Sequence, residues 1–387
     1  MATFVIVGAG LAGAKAAQTL REEGFDGEVV LAGAESERPY ERPPLSKEYL
    51  RGGSEREKIF VHPPEWYADN DVELRLGLPV TRVEPRNHVV RFANGSRRAY
   101  DKLLIATGAT PRRLPGPAYY LRTVEDSEAL RRRLAEGGSV IVVGASWIGL
   151  ESAAAARAAG CRVTVVEREP TALHRALGPE LGGVFARLHI RNGVDLRFGT
   201  AVAEVTKTGV RLSTGERLTA DLVVAGIGVV PEAELARDAG LAVGHGIRTD
   251  ASLRTSHPDV YAAGDAAEPF HPLYGRHVRV EHRAGALRGG PAAARAMLGQ
   301  DVVHDELPYL STGQYDLRME FSGDIDGYDE IVHRGSVEDL RFVAYWLRDR
   351  RVIAGMGVNT RDALPEIQEL IRSGAVIDQK ELSTGSP

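Results

Sequence analysis

The sequence predicts an α/β chain with two parallel-sheet halves, each opened by a glycine-rich turn, followed by a C-terminal α+β domain. Three observations predict it. The first is the opening stretch Thr3–Gly13, T-F-V-I-V-G-A-G-L-A-G. The second is its echo at Ser139–Glu151, S-V-I-V-V-G-A-S-W-I-G-L-E. The third is a change of pattern from Pro308, after which short strands and one helix follow without a further turn of this kind.

The 387 residues leave room for two or three domains with substantial cores. Apolar residues make up 43% and charged residues 26%, the balance of an ordinary globular protein. Lys plus Arg number 48 against 53 Asp plus Glu, a net charge of −5 that argues against nucleic-acid binding as the main role. Cys161 is the only cysteine, which excludes an intrachain disulfide, a Cys-x-x-Cys redox pair and a cysteine-rich metal centre. Met1 leads straight into a strand pattern, and no apolar run reaches the ~20 residues of a membrane span, so a cytoplasmic protein without signal peptide, membrane segment or metal is expected. The polar end Asp378–Pro387 is expected to fray.

In the opening stretch a β-branched apolar run feeds the turn, and Leu11–Leu20 reads as an amphipathic helix. Gly8 suits the tight turn, Gly10 lets the backbone approach a pyrophosphate, and Gly13 allows close helix–strand packing. The helix would aim its first amides at the phosphates. Gly27–Ala32 reads as the next parallel strand, and Glu35 just beyond it can accept from ribose hydroxyls. Pro39–Tyr49, P-Y-E-R-P-P-L-S-K-E-Y, is a proline-stiffened loop holding Arg42 and Lys47. Val72–Gly77, Val80–Val83 and His88–Phe92 read as a small meander, and Tyr100–Gly108 as a buried strand ending in a Thr-Gly turn.

In the second copy Gly144, Ser146 and Gly149 occupy the three glycine places, with the Ser146 hydroxyl able to bond a phosphate. Ile148–Ala159 is the helix and Arg162–Glu167 the following strand. Glu167 lies 23 residues after Gly144, where an acid accepts a free ribose 2′-hydroxyl and repels a 2′-phosphate, favouring NADH over NADPH. Leu177–Asn192 reads as a helix, Val194–Phe198, Ala201–Val205 and Val210–Leu212 as strands, and Asp221–Val230 as a buried strand with a glycine turn. Val260–Ala267, V-Y-A-A-G-D-A-A, places Asp265 where it can meet a ribitol hydroxyl. Pro291–Leu298 reads as a helix. Gln314–Ser322, Glu330–Arg334, Arg341–Leu347 and Val352–Val358 read as strands, and Asp362–Ser373 as a helix. The expected domains are 1–108 with 244–307, 109–243, and 308–387. Two dinucleotide turns in one chain point to one FAD and one NADH.

The stretches V-G-A-G-L-A-G, P-Y-E-R-P-P-L-S-K, L-L-I-A-T-G, V-V-G-A-S-W-I-G-L-E, G-I-G-V-V-P and Y-A-A-G-D stand in the order of a known family. The chain resembles, end to end, the FAD- and NADH-dependent ferredoxin reductases: putidaredoxin and rubredoxin reductases and the reductase components of ring dioxygenases. Apoptosis-inducing-factor-like oxidoreductases belong to the same superfamily. The resemblance implies two Rossmann-like domains of glutathione-reductase type. It implies that Gly8, Gly10, Leu11, Ala12, Gly13, Glu35, Val80, Ala106, Thr107, Gly108, Gly264 and Asp265 face FAD, together with Arg42, Arg122, Glu281 and His282. Gly144, Ser146, Trp147, Ile148, Gly149, Glu167, Gly226 and Gly228 would face NADH. Lys47 would lie near flavin N5 and pair with Glu151, one residue from each half.

Three positions depart from the family. Arg283 follows Glu281-His282 where the family carries Trp, Gly285 replaces an Asn, and Ser311-Thr312-Gly313 replace an aromatic followed by Ser/Thr-Asp. The resemblance implies hydride transfer from NADH to FAD and single-electron delivery to a ferredoxin-type iron–sulfur protein, by a monomer or weak homodimer. Arg276, Arg279, Arg283 and Arg288 are the candidate docking cluster, with scattered surface arginine as the plain alternative. Other readings stay open at this point. These are an NADH oxidase or quinone or small-molecule reductase, an apoptosis-inducing-factor-like redox-sensing binding protein, and a member that binds FAD poorly.

Overall fold

The computed structural model describes residues 1–360 and 362–384. It divides into two compact units. The first comprises Met1–Glu41, Arg56–Thr110 and Val230–Tyr309, and the second Arg42–Glu55, Pro111–Val229 and the chain from Leu310 onward. The proline loop from Arg42 and the C-terminal sheet thus count with the second nucleotide-type sheet.

The first unit is built on a five-stranded parallel sheet. Its strands run in the order 260–262, 102–105, 3–7, 28–32, 72–75. The chain winds outward from Thr3–Val7 through Glu28–Ala32 to Val72–Arg75, then crosses back to Lys102–Ile105. The order therefore reverses between Thr3–Val7 and Lys102–Ile105, and ligands of such sheets lie outside the carboxyl ends at that point. Val5, Ile6, Val30, Leu31, Leu103 and Leu104 are fully buried, as continuous apolar runs in a two-sided parallel sheet should be.

Val72–Arg75 belongs to this sheet and not to the meander expected of it. It pairs in parallel with Glu28–Ala32, because the short helix Trp66–Asp69 delivers the chain to the sheet edge. The meander consists of Val80–Glu84, Val89–Phe92 and Arg97–Ala99. The last helix of the unit also differs from expectation, spanning Arg283–Met297 and not only Pro291–Leu298. Gly290 within it has a packing reason: a Cβ there would lie 2.2 Å from the Ala12 carbonyl oxygen. The small residue lets this helix press against the helix Leu11–Glu22.

The second unit repeats the plan with four parallel strands ordered 194–197, 162–166, 139–143, 222–225, and its own meander at 202–206, 209–212 and 217–219. The helix His174–Arg191 begins a turn earlier than expected and kinks at Gly178-Pro179. A five-stranded antiparallel sheet follows, ordered 309–314, 317–323, 351–358, 341–348, 330–336, with the helix Ala363–Ser373 across it. Phe342, Tyr345 and Trp346 are its buried centre. The single strand expected over Gln314–Ser322 is two strands, because Tyr315 adopts a left-handed φ of +54° and turns the chain. At the end, Gln379–Ser383 is a short helix with Leu382 buried, so this part does not fray; residues 385–387 of the expected frayed tail lie outside the described residues.

Candidate functional site

Each unit brings one glycine turn to the carboxyl edge of its parallel sheet. In the first, Gly8 has φ +121° and its amide donates to the Ala32 carbonyl at 2.7 Å. A Cβ on Gly8 would lie 2.1 Å from the Ala106 carbonyl oxygen, and one on Gly13 2.0 Å from the Gly8 carbonyl oxygen. Gly10 differs: a Cβ there meets nothing within 4 Å. The turn is therefore crowded on the protein side and open on the other, as a pyrophosphate cradle requires. The helix that follows carries no acid in its first turn, so its amides and dipole remain available to an anion. Leu11 and Ala12 are buried and contribute packing and backbone.

The same unit holds other residues expected of an adenosine and ribitol site. Tyr40 donates its hydroxyl hydrogen to Glu35. Thr107 Oγ1 donates to the Glu232 carbonyl at 2.6 Å, so its hydroxyl braces the turn beside Ala106 and Gly108. Gly264, at φ +71°, and Asp265 form a 3₁₀ turn after the edge strand, and Val80 opens the meander. His282 caps the helix Arg283–Met297, accepting from the Ala284 amide at 3.3 Å, and its ring meets Tyr309 edge-on at 5.3 Å. Glu281 pairs with Arg279.

The second turn is built the same way. Gly144 has φ +98°, and a Cβ would lie 2.4 Å from the Gly226 carbonyl oxygen. Gly149 packs on Gly144, and Gly228 has φ +94°. Ser146 caps the helix Trp147–Ala158, accepting from Gly149 N at 3.3 Å and donating to Gly226 O at 2.6 Å. Both contacts lie inside the turn, so the hydroxyl braces it. Ile148 is exposed and Trp147 rests edge-on against Phe185 at 5.7 Å. Glu167 Oε2 accepts from the Ala145 amide at 2.7 Å and Oε1 from the Glu169 amide at 2.9 Å, so the acid braces the glycine turn. Arg168 and Arg175 lie on Glu169, at 3.4 and 2.8 Å.

Lys47 and Glu151 were expected from different halves; both belong to the second unit. Lys47 Nζ lies 3.6 Å from Glu151 Oε1, and Glu151 is only 5% exposed. The Ser46 hydroxyl donates to Glu151 Oε2, and Thr312 Oγ1 donates to Oε1 at 2.6 Å. Two hydroxyl donors and one cation thus converge on one buried carboxylate, which is how a buried charge is accommodated. Arg42 donates to the Arg122 carbonyl at 2.5 Å, tying the proline loop to its own unit. Sequence reasoning missed Ser46, and Thr312 stood out only as a family departure. The signal available was two hydroxyls flanking positions already singled out.

The candidate docking arginines are mostly charge-compensated. Arg279 pairs with Glu281, Arg283 with Glu41 and Arg288 with Glu306, while Arg276 lies over the Tyr274 ring at 5.9 Å. They do not make a free basic face. Cys161 is buried between the second helix and its next strand, with its Sγ donating to the Leu134 carbonyl at 3.6 Å, and burial pushes its thiol pKa up. No helix among the described residues is long and apolar enough to cross a membrane.

Two nucleotide-type turns, each at the carboxyl edge of its own parallel sheet, are the plan shared with one family of enzymes. A family model described as pyridine nucleotide-disulphide oxidoreductase matches residues 2–295, and one described as reductase C-terminal matches 311–386. The chain belongs to the pyridine nucleotide-disulphide oxidoreductase family. It is an oxidoreductase using FAD and a nicotinamide nucleotide. It is 40% identical to the anthranilate 1,2-dioxygenase system ferredoxin–NAD(+) reductase component of Burkholderia cepacia, over 98% of this chain and 96% of that protein. It is 37% identical to putidaredoxin reductase of Pseudomonas putida, over 92% and 88%. The reductase in a crystal structure of the covalent putidaredoxin reductase–putidaredoxin complex superposes with a TM-score of 0.94 at 35% identity, covering 99% of this chain and 96% of that one. Despite the family's name, this member's single buried cysteine offers no dithiol for disulphide chemistry.

Proposed function

We propose that this chain oxidises NADH and delivers the electrons singly, through FAD, to a ferredoxin-type iron–sulfur protein, of the kind that feeds a ring-hydroxylating oxygenase or a cytochrome P450. One observation carries this reading: two nucleotide-type turns stand at two sheet edges while the only thiol is buried. A thiol-relay enzyme needs a reachable cysteine; an electron-splitting flavoprotein does not. The relatives named as ferredoxin–NAD(+) reductases support the same acceptor class.

The first turn, with Gly8, Gly10, Gly13, Glu35, Thr107 and Asp265, suits the FAD dinucleotide, and Gly10 leaves room for its pyrophosphate. The second, with Gly144, Ser146, Gly149 and Glu167, suits NADH. Glu167 is fixed by two backbone amides and so presents a rigid carboxylate to a ribose diol, where a 2′-phosphate would be repelled. FAD, when bound, takes a hydride from NADH and can release electrons one at a time, which is the cofactor's own chemistry. The protein's part is to hold the two nucleotides, exclude water and supply fixed charge. Lys47, held by Glu151, is the cation assigned to the reacting ring; its partner keeps it from swinging to solvent. NADH is a cytoplasmic reductant, which fits a cytoplasmic location. A monomer or weak homodimer suffices for the reaction.

An anaerobic titration of the yellow protein with NADH, followed by challenge with ferredoxin, quinone and oxygen, tests the proposal. Stoichiometric bleaching and fast reoxidation by ferredoxin alone are expected. Faster turnover with quinone or oxygen than with ferredoxin would overturn it.

A further inference from the structure

Beyond Glu151 the hydrogen bonds continue. Thr312 and Gln314 are two apart on the strand Tyr309–Gln314, so their side chains share its buried face, at 4% and 0% exposure. Gln314 Nε2 donates to Thr312 Oγ1 at 3.2 Å. Gln314 Oε1 lies 2.8 Å from Nε2 of His189, which is wholly buried on the helix His174–Arg191. An amide oxygen only accepts, so His189 Nε2 carries the hydrogen. Burial pushes the His189 pKa down, so the ring is neutral and Nδ1 is an acceptor. The Tyr315 hydroxyl lies 3.3 Å from Nδ1 and is its donor, its own pKa pushed up to about 12 by burial. Tyr315 also holds the left-handed turn, with its ring edge-on to His189 at 5.1 Å.

Every donor in this series points the same way: Tyr315 to His189, to Gln314, to Thr312, to Glu151. We propose that His189, Gln314 and Thr312 form a one-directional hydrogen-bonded chain that positions the Glu151 carboxylate for its pairing with Lys47. They are positioning residues; the proposal rests on the role assigned above to the Lys47–Glu151 pair. Bonds in such a series polarise one another, so the last donor, Thr312, meets the carboxylate strengthened by those behind it. Apolar side chains of similar volume would fill the same core without leaving four polar groups to satisfy. The chain is not a proton conduit, because the Gln314 amide at its centre cannot take up and release a proton without becoming an imidic acid. Its effect is to fix where the Glu151 oxygens lie, with Ser46 and Lys47 as the other groups facing them.

The test uses the FAD-loaded full chain. Flavin bleaching by NADH is followed anaerobically by stopped flow for Thr312→Val, Thr312→Ser, Gln314→Leu, Tyr315→Phe, Glu151→Gln and the Thr312→Val/Glu151→Gln pair. Nitrogen NMR of labelled histidine reports the His189 tautomer. Thr312→Val is expected to slow reduction about tenfold and Thr312→Ser less than about twofold. The double variant should be no slower than Glu151→Gln alone. His189 should show the Nε2-protonated neutral ring from about pH 6 to 8, with its signals displaced in Gln314→Leu and, more weakly, in Tyr315→Phe. Tyr315→Phe removes one hydroxyl from the turn and keeps the test open should a core variant misfold. Unchanged reduction in Thr312→Val, losses that simply add to Glu151→Gln, or a His189 that protonates in this range would overturn the chain. Unchanged reduction in Glu151→Gln itself would instead remove the role assigned to the Lys47–Glu151 pair, and the proposal with it.

Discussion

Arg283 grips Glu41 with two parallel hydrogen bonds, Nε to Oε2 at 2.5 Å and Nη2 to Oε1 at 2.6 Å. The contact spans 242 residues of sequence. It ties the first turn of the helix Arg283–Met297 to the residue just before Arg42. From the sequence, Arg283 is expected to depart from the aromatic of the resembled family, and it reads both as part of a docking cluster and as plain surface arginine. Its charge is instead spent inside the unit.

Breaking this clamp should loosen the start of the proline loop more than it unfolds the protein. The side chains of Arg283 and Glu41 are 37% and 28% exposed, so solvent screening limits the pair to about 1 kcal/mol even with bidentate geometry. Arg283→Met should lower the Tm by about 2 °C while clearly increasing FAD loss on gel filtration. The swap Glu41→Arg with Arg283→Glu should restore retention. FAD loss equal in the swap and the single variant would refute the clamp.

Gly8 and Gly10 should respond oppositely to the same methyl group. Gly8→Ala places a side chain at φ +121° and 2.1 Å from a backbone oxygen, a strain that neighbouring strands cannot relieve. It should destabilise the apoprotein by more than ~3 kcal/mol. Gly10→Ala meets nothing and has an ordinary φ of −91°. The apoprotein should melt as the parent does, with FAD affinity reduced. Calorimetry of both apoproteins with flavin titration separates the two; a Gly10→Ala variant with unaltered FAD affinity would remove the cradle from this position.

What could be read in advance was local. A β-branched run, a glycine turn and a helix signal each other within a dozen residues, so both turns, Glu35 and Glu167 were legible. Non-local pairings were not. V-E-L-R at 72–75 reads as a meander strand until its partner Glu28–Ala32 is known. The helix expected over Pro291–Leu298 starts earlier, at Arg283, and the place of Gly290 in it is explained only by Ala12 packed against it. Tyr315 hides a turn because a non-glycine residue takes the left-handed conformation. The groups around Glu151 and behind it come from three separate segments, 46–47, 189 and 312–315, and apart from Lys47 none of them carries a local signal for such a cluster.

The C-terminal sheet contains an ion pair whose strength should depend on pH in a defined sense. Glu366, on the helix Ala363–Ser373, receives Arg334 Nη1 and Nη2 at 2.9 and 2.6 Å and the Tyr345 hydroxyl at 2.9 Å. The Arg334 hydrogen bonds hold its carboxyl below the usual range, against desolvation. A depressed carboxyl pKa means stability that is present above the unfolded value, near ~4.3, and lost as pH falls through the folded one. Glu366→Gln should therefore cost up to about 1 kcal/mol at neutral pH, an exposed carboxylate being screened, and nothing once the parent is protonated. Denaturant melts at about pH 7 and pH 3 decide it; a difference that does not shrink in acid would show that the packing of the glutamine, not the charge, is responsible.

Glu167 should set nicotinamide choice and turn stability together. Glu167→Gln keeps an oxygen for the Ala145 amide but removes the charge proposed to repel a 2′-phosphate. Arg168 follows Glu167 directly and Arg175 stands in the first turn of the helix His174–Arg191, both held by Glu169. The ratio of kcat/KM for NADPH to that for NADH should rise about tenfold, mostly through KM, with the fold intact. An unchanged ratio would place nucleotide discrimination elsewhere.

The thiol offers the sharpest contrast with the family's name. Cys161 is 0% exposed, packed among Leu134, Val163 and their neighbours, and its thiol pKa lies above the ordinary range because burial disfavours the thiolate. The thiolate is the nucleophile, so this sulfur is doubly withheld, by access and by protonation. Iodoacetamide on the native protein should leave NADH oxidation coupled to ferredoxin reduction unaffected. Cys161→Ala should cost about 1 kcal/mol for the small cavity, with turnover within about twofold of the parent. Electron delivery that collapsed in Cys161→Ala, at a temperature where the variant is folded and flavin-loaded, would mean that a sulfur intermediate takes part. The two-nucleotide, thiol-free route would then be wrong.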